Sequence, residues 1–261
     1  MTQPKQRFHG NRTVSANTTG QDYVVGDLHG QLDLLFETLF TVGFRPDCDR
    51  LFCVGDLIDR GPRSLGCLEL LADPWFFAVL GNHEDMMLDA LVNQDASTYL
   101  HWIENCGGEW VRDVDGGYLS RLIKNHCLTL PLTISVPCGR GTVGLIHAAV
   151  TSGQWGVFDH DSDIWNRRIA RDRHDPDASL PTEAQVDGID AVVVGHNVTP
   201  APFVRGNTLS LDTGAASGNP PTVWPLEAVL DVVSQHLTTD KAQTFYGSLH
   251  REPLGHSLNC F

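Results

Sequence analysis

The residue patterning predicts an α/β fold in which two mixed β-sheets pack face to face with helices outside. Three observations carry that expectation. Apolar, strand-sized runs alternate with helix-spaced segments through the first half of the chain. The second half holds further strand-like runs with few helices between them. Five of the apolar runs end at once in Gly, His or both, and deliver an Asp, Asn or His there. Open α/β sheets collect their ligands at the carboxyl ends of strands.

Val24-Val25 closes the first such run, before Gly26-Asp27-Leu28-His29-Gly30. Leu32, Leu35, Phe36, Leu39 and Phe40 then fall on one helical face, and Gly43 is placed to end that helix. Leu51 to Val54 is the next strand. After the Gly61-Pro62 break, Leu65, Leu68 and Leu71 keep a helical spacing, Phe76 to Leu80 reads as strand, and Met86 to Val92 as helix. This β-α-β-α-β order is the signature of a parallel sheet with crossover helices. Ser97 to Asn105 and Tyr118 to Cys127 read as a helical excursion, separated by Gly-rich turns. Leu132 to Val136 and Thr142 to His147 flank Pro137-Cys138-Gly139-Arg140-Gly141, a hairpin signal. Ala191 to Gly195, Leu209 to Asp212 and Ala228 to Val233 complete the expected strands. The charged segment Arg167 to Glu183, with Pro176 and Pro181, reads as an exposed loop.

A chain of 261 residues can bury a substantial core as one large α/β domain, placed here at residues 21–233. Residues 1–20 read as a polar lead-in, and residues 234–261 as a tail of unassigned role. A net charge of −14 disfavours nucleic acid and anionic membrane surfaces as partners. No window is long and apolar enough for a membrane span, and the lead-in lacks the apolar centre of a secretion signal. Seven cysteines occur without a C-x-x-C pair, and Cys53, Cys67 and Cys127 sit in apolar patterns. Reduced thiols in a cytoplasmic protein are the expectation.

The chemistry gathers in Gly26-Asp27-Leu28-His29-Gly30, Gly55-Asp56-Leu57-Ile58-Asp59-Arg60-Gly61, Gly81-Asn82-His83-Glu84, Ile146-His147-Ala148 and Val194-Gly195-His196. Mixed oxygen and imidazole donors suit borderline divalent metals such as Mn, Fe and Zn. The donors outnumber what one tetrahedral ion needs, whereas two ions sharing a carboxylate would use six: Asp27, His29, Asp56, Asn82, His147 and His196.

In motif order and spacing the chain resembles the PPP family of metallophosphatases, in particular its phage lambda and bacterial serine/threonine protein phosphatase type. The likeness extends to Cys67-Leu68-Glu69-Leu70-Leu71, Asp73-Pro74-Trp75-Phe76, Ile164-Trp165-Asn166-Arg167 and Leu211-Asp212-Thr213-Gly214-Ala215, and spans roughly residues 20 to 232. The resemblance implies a metallophosphoesterase-type β-sandwich with two divalent cations, manganese being the expected activator and iron or zinc the other candidates. By that likeness Asp27 and His29 bind the first metal, Asp56 bridges, and Asn82, His147 and His196 complete the second. Arg60 and Arg167 clamp the phosphate, with Arg168 adjacent as the other register, while His83 is the general acid and Asp59 its orienting partner. The implied reaction is hydrolysis of phosphoserine and phosphothreonine in phosphoproteins by direct attack of a metal-bridging hydroxide, without a phosphoenzyme. It extends to phosphotyrosine and small aryl phosphates.

Other histidines, among them His101 and His160, end no strand inside a motif and read as ordinary surface or packed residues. Glu84 reads as a group supporting a ligand or capping a helix, and Asp212 as a turn or supporting group. Trp155 and Trp165 either line the groove or only pack. One departure is the His147-Ala148-Ala149-Val150 stretch, where family members often carry an acidic residue soon after the His. Two rival functions share the motifs. Symmetrical dinucleoside tetraphosphate hydrolases tend to lack the Asp of the Asp-Arg-Gly triplet and to end the third motif in Asp. Asp59 and Glu84 are both present here, which favours the protein phosphatase. A non-catalytic phosphoprotein scaffold should show a damaged motif, and none is damaged.

Overall fold

The computed structural model describes residues 10–167 and 184–238. In chain order they form β1 (Asn11–Thr13), β2 (Asp22–Val25), α1 (Leu32–Thr41), β3 (Arg50–Cys53), α2 (Ser64–Glu69), β4 (Phe76–Ala78), α3 (Asn82–Leu91), α4 (Ala96–Asn105) and α5 (Gly116–Asn125). Then follow β5 (Thr133–Cys138), β6 (Gly141–Ile146), α6 (His160–Trp165), β7 (Ala191–Val194), β8 (Phe203–Arg205), β9 (Thr208–Ser210), β10 (Val223–Pro225) and α7 (Leu226–Thr238). One sheet runs β10-β2-β3-β4 and the other β1-β5-β6-β7-β9-β8. Both are mixed: β2, β3 and β4 are parallel with β10 antiparallel at the edge, and in the second sheet β5–β6 and β9–β8 are antiparallel while β1–β5, β6–β7 and β7–β9 are parallel. The expected sandwich is the observed one.

Period-two patterning explains the layers. Val24, Phe52, Val54 and Val79 of the smaller sheet meet Ile134, Val136, Val143, Leu145, Ala191, Val193 and Leu209 of the larger one in a single buried cluster. Their neighbours Tyr23, Val25, Leu51, Cys53, Phe76 and Ala78 face the other way, into a cluster with residues of α1 to α5. Ile146, Val192, Val194 and Phe203 form the outer core of the larger sheet. Strands buried on both faces must read as unbroken apolar runs, as Ala191-Val192-Val193-Val194 does. The excursion helices start on side-chain caps. Asp95 accepts from the Ser97 and Thr98 amides, and Asp115 from the Tyr118 amide.

Two expectations need correction. Ala228 to Val233 is not a strand but part of α7, whose Leu226, Val229 and Val233 enter the inter-sheet cluster. These buried residues follow helical spacing, and the β-branched valines among them imitate a strand. On α1, Leu32, Leu35 and Leu39 are buried, but Phe36 and Phe40 are exposed, Phe40 at 88%. The buried stripe is therefore narrower than the apolar face of the helix. Leu35→Ala is expected to cost about 3 kcal/mol of stability, as a fully buried truncation does. Phe40→Ser should stay within about 0.5 kcal/mol. Urea unfolding of the two variants checks the assignment, and equal losses would contradict it.

Within residues 1–20, residues 11–13 form β1, parallel to β5. The last helix continues past residue 233 to Thr238. The rest of the 234–261 tail, Arg168, and the proposed loop from residue 168 to 183 lie outside the described residues.

Candidate metal centre

Five strand ends deliver the site. Asp27 and His29 follow β2; Asp56, Asp59 and Arg60 follow β3; Asn82, His83 and Glu84 open α3 just after β4. His147 follows β6 and His196 follows β7. The backbone there is strained: His29 (φ 43°), Asp56 (50°), Asp59 (74°), Arg60 (71°) and His196 (63°) all occupy the left-handed region. Such conformations persist only when their surroundings hold them. The amides of Leu28 and His29 both donate to the Asp56 carbonyl, and the Asp59 amide donates to Ser64 Oγ at 2.9 Å. Glu84 has the largest share. Its carboxylate accepts from the amides of Asp56 (2.9 Å), Leu57 (2.8 Å), Ile58 (3.3 Å) and Gly81 (3.1 Å). It thus caps α3 and pins the β3 loop at once. A Cβ at Gly195 would stand 1.9 Å from Asp27 Oδ1, so only glycine lets the next amide, that of His196, donate to the Asp27 carboxylate.

Asp56 stands at the centre. Its Oδ2 lies 3.5 Å from His29 Nε2 and 3.9 Å from His83 Nε2, and its Oδ1 lies 3.4 Å from His147 Nε2. Two groups, His29-Asp56-His83 and Asp56-His147-His196, each bring their donor atoms within 4.8 Å of one another, and Asp56 belongs to both. Asp27 Oδ2 is 3.9 Å from His29 Nε2, and Asn82 Oδ1 is 2.9 Å from His147 Nε2. All six sequence-assigned donors are therefore gathered in one buried patch.

The donor set fits divalent cations. His29 Nδ1 faces the Ile58 carbonyl at 3.0 Å and His147 Nδ1 faces that of Val54 at 2.8 Å. Donation to those carbonyls leaves each Nε2 lone pair turned inward, as in metal-ligating histidines. His196 Nε2 is buried without a hydrogen-bond partner, an orphan that a metal would satisfy.

Arg60 reaches the cluster, with one guanidinium nitrogen 3.0 Å from His29 Nε2. Arg167 follows α6, close enough for its charge to bias His147, His196 and Asp212. The Asn197 side-chain amide anchors that segment by donating to the Asn166 carbonyl at 3.0 Å. His83 Nδ1 donates to Asp59 Oδ2 at 2.5 Å. Trp165 is partly exposed with its ring 6.3 Å from His196, on the rim of the site. Trp155 packs on Phe158 and donates to Ser135 Oγ, away from the cluster. His160 pairs with Asp85 at 3.3 Å rather than joining the donors. Two residues that no motif marks also enter: Trp102 and Trp110 both donate indole N–H groups to Asp59.

Charge is concentrated in this pocket. Burial, then Asp212 and Asp56, push the Asp27 carboxyl well above the usual range. Burial and Asp56 push Glu84 up to about 8, and burial pushes Asp212 up to about 6. Burial holds His29 and His196 down at about 3. Burial also opposes charge on His83, but Asp56 and Asp59 outweigh it and raise its proton affinity. An acid raised in the fold binds more protons folded than unfolded, so its contribution to stability falls as pH climbs toward the folded value. The raised His83 has the same sign above its ordinary value. The depressed His29 and His196 act oppositely, but only below about pH 6.5. The metal-free protein should therefore lose thermal stability between about pH 6.5 and 8. Mn²⁺ should raise Tm more at the upper end, because its ligands must be deprotonated to bind. Calorimetry of chelator-treated and reloaded protein at both pH values tests this. A metal-free Tm that rises across the interval would contradict it.

Comparisons with known proteins give the chain's family. A family model described as calcineurin-like phosphoesterase matches residues 23–200. Serine/threonine-protein phosphatase 1 of Salmonella typhimurium is 33% identical over 218 residues, which is 78% of this chain and 91% of that protein. A symmetrical bis(5'-nucleosyl)-tetraphosphatase of Actinobacillus pleuropneumoniae is 46% identical, but over 72 residues only, 27% of each chain. A crystal structure of a candidate diadenosine tetraphosphatase superposes with a TM-score of 0.61 at 22% identity, covering 84% of this chain and 98% of that one. That likeness speaks for the fold alone. The family match spans all the strand-end donors from Asp27 to His196, so sandwich, donor set and sequence lead to one conclusion: this chain belongs to the calcineurin-like phosphoesterase family.

Proposed function

We propose that this phosphoesterase is a metal-dependent protein phosphatase that hydrolyses phosphoserine and phosphothreonine monoesters. One observation carries the choice of substrate: the buried His83–Asp59 pair, at 2.5 Å, beside the shared carboxylate of Asp56. A serine alkoxide is a poor leaving group and needs a proton as the P–O bond breaks. A nucleotide phosphate leaving from an anhydride needs it far less. The 91% coverage of the phosphatase relative, against 27% of the tetraphosphatase, supports the same choice.

In this reading Asp27, His29 and Asp56 hold one divalent cation, and Asp56, Asn82, His147 and His196 hold the other. Manganese is the expected activator, with iron and zinc as the other candidates. When bound, such a pair lowers the pKa of a water it shares and draws charge off the phosphoryl oxygens. The protein's own groups do the rest. Arg60 and Arg167 match phosphate oxygens with paired donors and orient the ester. Asp59 holds Nδ1 of His83, which leaves Nε2 to carry the proton to the departing oxygen. Trp165, exposed and with its ring 6.3 Å from His196, stands beside the site where a peptide would approach, and small aryl phosphates and phosphotyrosine would be accepted as well. We assign catalysis to residues 21–233 as one domain. We also place the protein in the cytoplasm, with phosphoproteins rather than nucleic acid or membrane as partners. No disulfide occurs among the described residues, and no described helix is long and apolar enough to cross a membrane.

The test is the purified protein, stripped and reloaded with Mn²⁺, Fe²⁺ or Zn²⁺, assayed on a phosphoserine peptide and on diadenosine tetraphosphate. A kcat/KM higher for the peptide is expected. The reverse order would transfer the chain to the tetraphosphate hydrolases, and no metal-dependent turnover of either would leave a binding scaffold.

A further inference from the structure

The Asp59 carboxylate is fully buried and receives three donors from three elements. His83 Nδ1, on α3, and Trp102 Nε1, on α4, both reach Oδ2, at 2.5 and 2.6 Å. Trp110 Nε1, from the helical turn Gly108–Asp113, reaches Oδ1 at 2.8 Å. The two indole rings stand edge to face, 6.3 Å apart at 88°. Between them Gly107 (φ 89°) presses on the β3 loop: its carbonyl accepts from the Arg60 amide, and a Cβ there would lie 2.6 Å from that nitrogen. The helical excursion between α3 and β5 is thus closed onto Asp59 and Arg60.

A buried indole needs an acceptor, and many arrangements would supply one. Here two indoles choose the same carboxylate, one on each oxygen, and it is the carboxylate that also holds the His83 ring. Rotation of the carboxylate about its Cβ–Cγ bond would break both indole bonds. With the plane fixed, the ring of His83 is fixed too, and its Nε2 stays turned toward Asp56. We propose that Trp102 and Trp110 are positioning residues of this phosphatase: their indole N–H groups lock Asp59 in the one orientation that aims His83 Nε2 at the leaving-group oxygen. The inference rests on the phosphomonoesterase reading above, because it needs His83 as the proton donor. In this assignment both indoles act through Asp59 and not on the ester itself.

Trp110→Phe and Trp102→Phe keep an aromatic ring and remove the donor. Each is expected to lower kcat on a phosphoserine peptide by about 10- to 100-fold with KM unchanged, as loss of an outer hydrogen-bond partner does elsewhere. The loss should be at least about tenfold smaller on p-nitrophenyl phosphate, whose phenolate departs without a proton. Trp155→Phe, a packing residue, should leave the ratio of the two substrates unchanged. Equal losses on both esters, or a change in KM alone, would overturn the assignment. Trp102 is fully buried, so a second readout does not depend on its variant folding. In ¹H–¹⁵N spectra of the wild-type full chain, two of the six indole N–H signals should lie well downfield and move upfield in Asp59→Asn. Indole signals indifferent to that substitution would also overturn the proposal. Wild-type protein inert on both esters would instead sink the phosphatase reading itself.

Discussion

Asp56→Asn is expected to lower kcat/KM on a phosphoserine peptide by about 10³-fold or more, the scale seen when a group acting directly on transition-state charge is lost. The reason is position. Asp56 Oδ1 faces His147 while Oδ2 faces His29 and His83, so the two oxygens address different donor groups. An amide offers one acceptor and no charge, so it cannot serve both. Burial works against the Asp56 carboxylate, yet the imidazoles around it, His147 foremost, hold its pKa below the ordinary range. The fold therefore favours the charge on balance, and Asn would give up that attraction to the imidazoles. The fold should survive, because Asn is isosteric and keeps the oxygen that accepts the His83 amide at 3.0 Å. Metal-free Tm should be unchanged or lower, while bound metal falls below the wild-type stoichiometry. Steady-state kinetics, elemental analysis and calorimetry on the same preparation separate these effects. A variant that kept both full metal loading and near wild-type turnover would remove Asp56 from the centre of the site.

How far the site was legible before the structure depends on the distance over which each residue acts. Asp27, Asp56 and Asn82 are readable because a parallel sheet aligns its strands, pairing Val25 with Cys53 and Cys53 with Ala78, so their carboxyl ends share one edge. His147 and His196 follow β6 and β7, which are paired in the other sheet, and the Gly195 amide binds the His147 carbonyl at 2.7 Å. Glu84 was legible only as a group supporting a ligand or capping a helix. Its grip on the Asp56 loop spans 26 to 28 residues, and no local pattern records it. Trp102 and Trp110 lie 43 and 51 residues from Asp59 and follow no spacing rule. The fold shows the same limit. Three-residue strands such as β8 and β10 are too short for a period to emerge, and Pro225 is tolerated because β10 is an edge. Whether Phe36 and Phe40 face inward depends on how far α2 and the β3 loop reach around α1. No property of α1 itself fixes that.

His83→Asn should cost about 10²- to 10⁴-fold in kcat on the phosphoserine peptide, the range attributed to general acid catalysis. The ring is well placed for this role. Nδ1 is committed to Asp59, and Nε2 lies 3.9 Å from Asp56 Oδ2, within the buried His29-Asp56-His83 group. Asn could replace the bond to Asp59 but has no second nitrogen to deliver a proton, so the loss should scale with the basicity of the leaving group. It should be large for serine and much smaller for p-nitrophenol. The pH profile supplies an independent check. His83 acts in its protonated form, and Asp56 and Asp59 raise its affinity for that proton against the effect of burial. Wild-type kcat on phosphoserine should therefore hold through neutrality and fall as pH rises through that elevated value. In His83→Asn the alkaline fall should vanish, leaving a low and flatter curve. If the variant kept the wild-type alkaline limb, or lost as much on the aryl ester as on the peptide, proton delivery would have to come from another group.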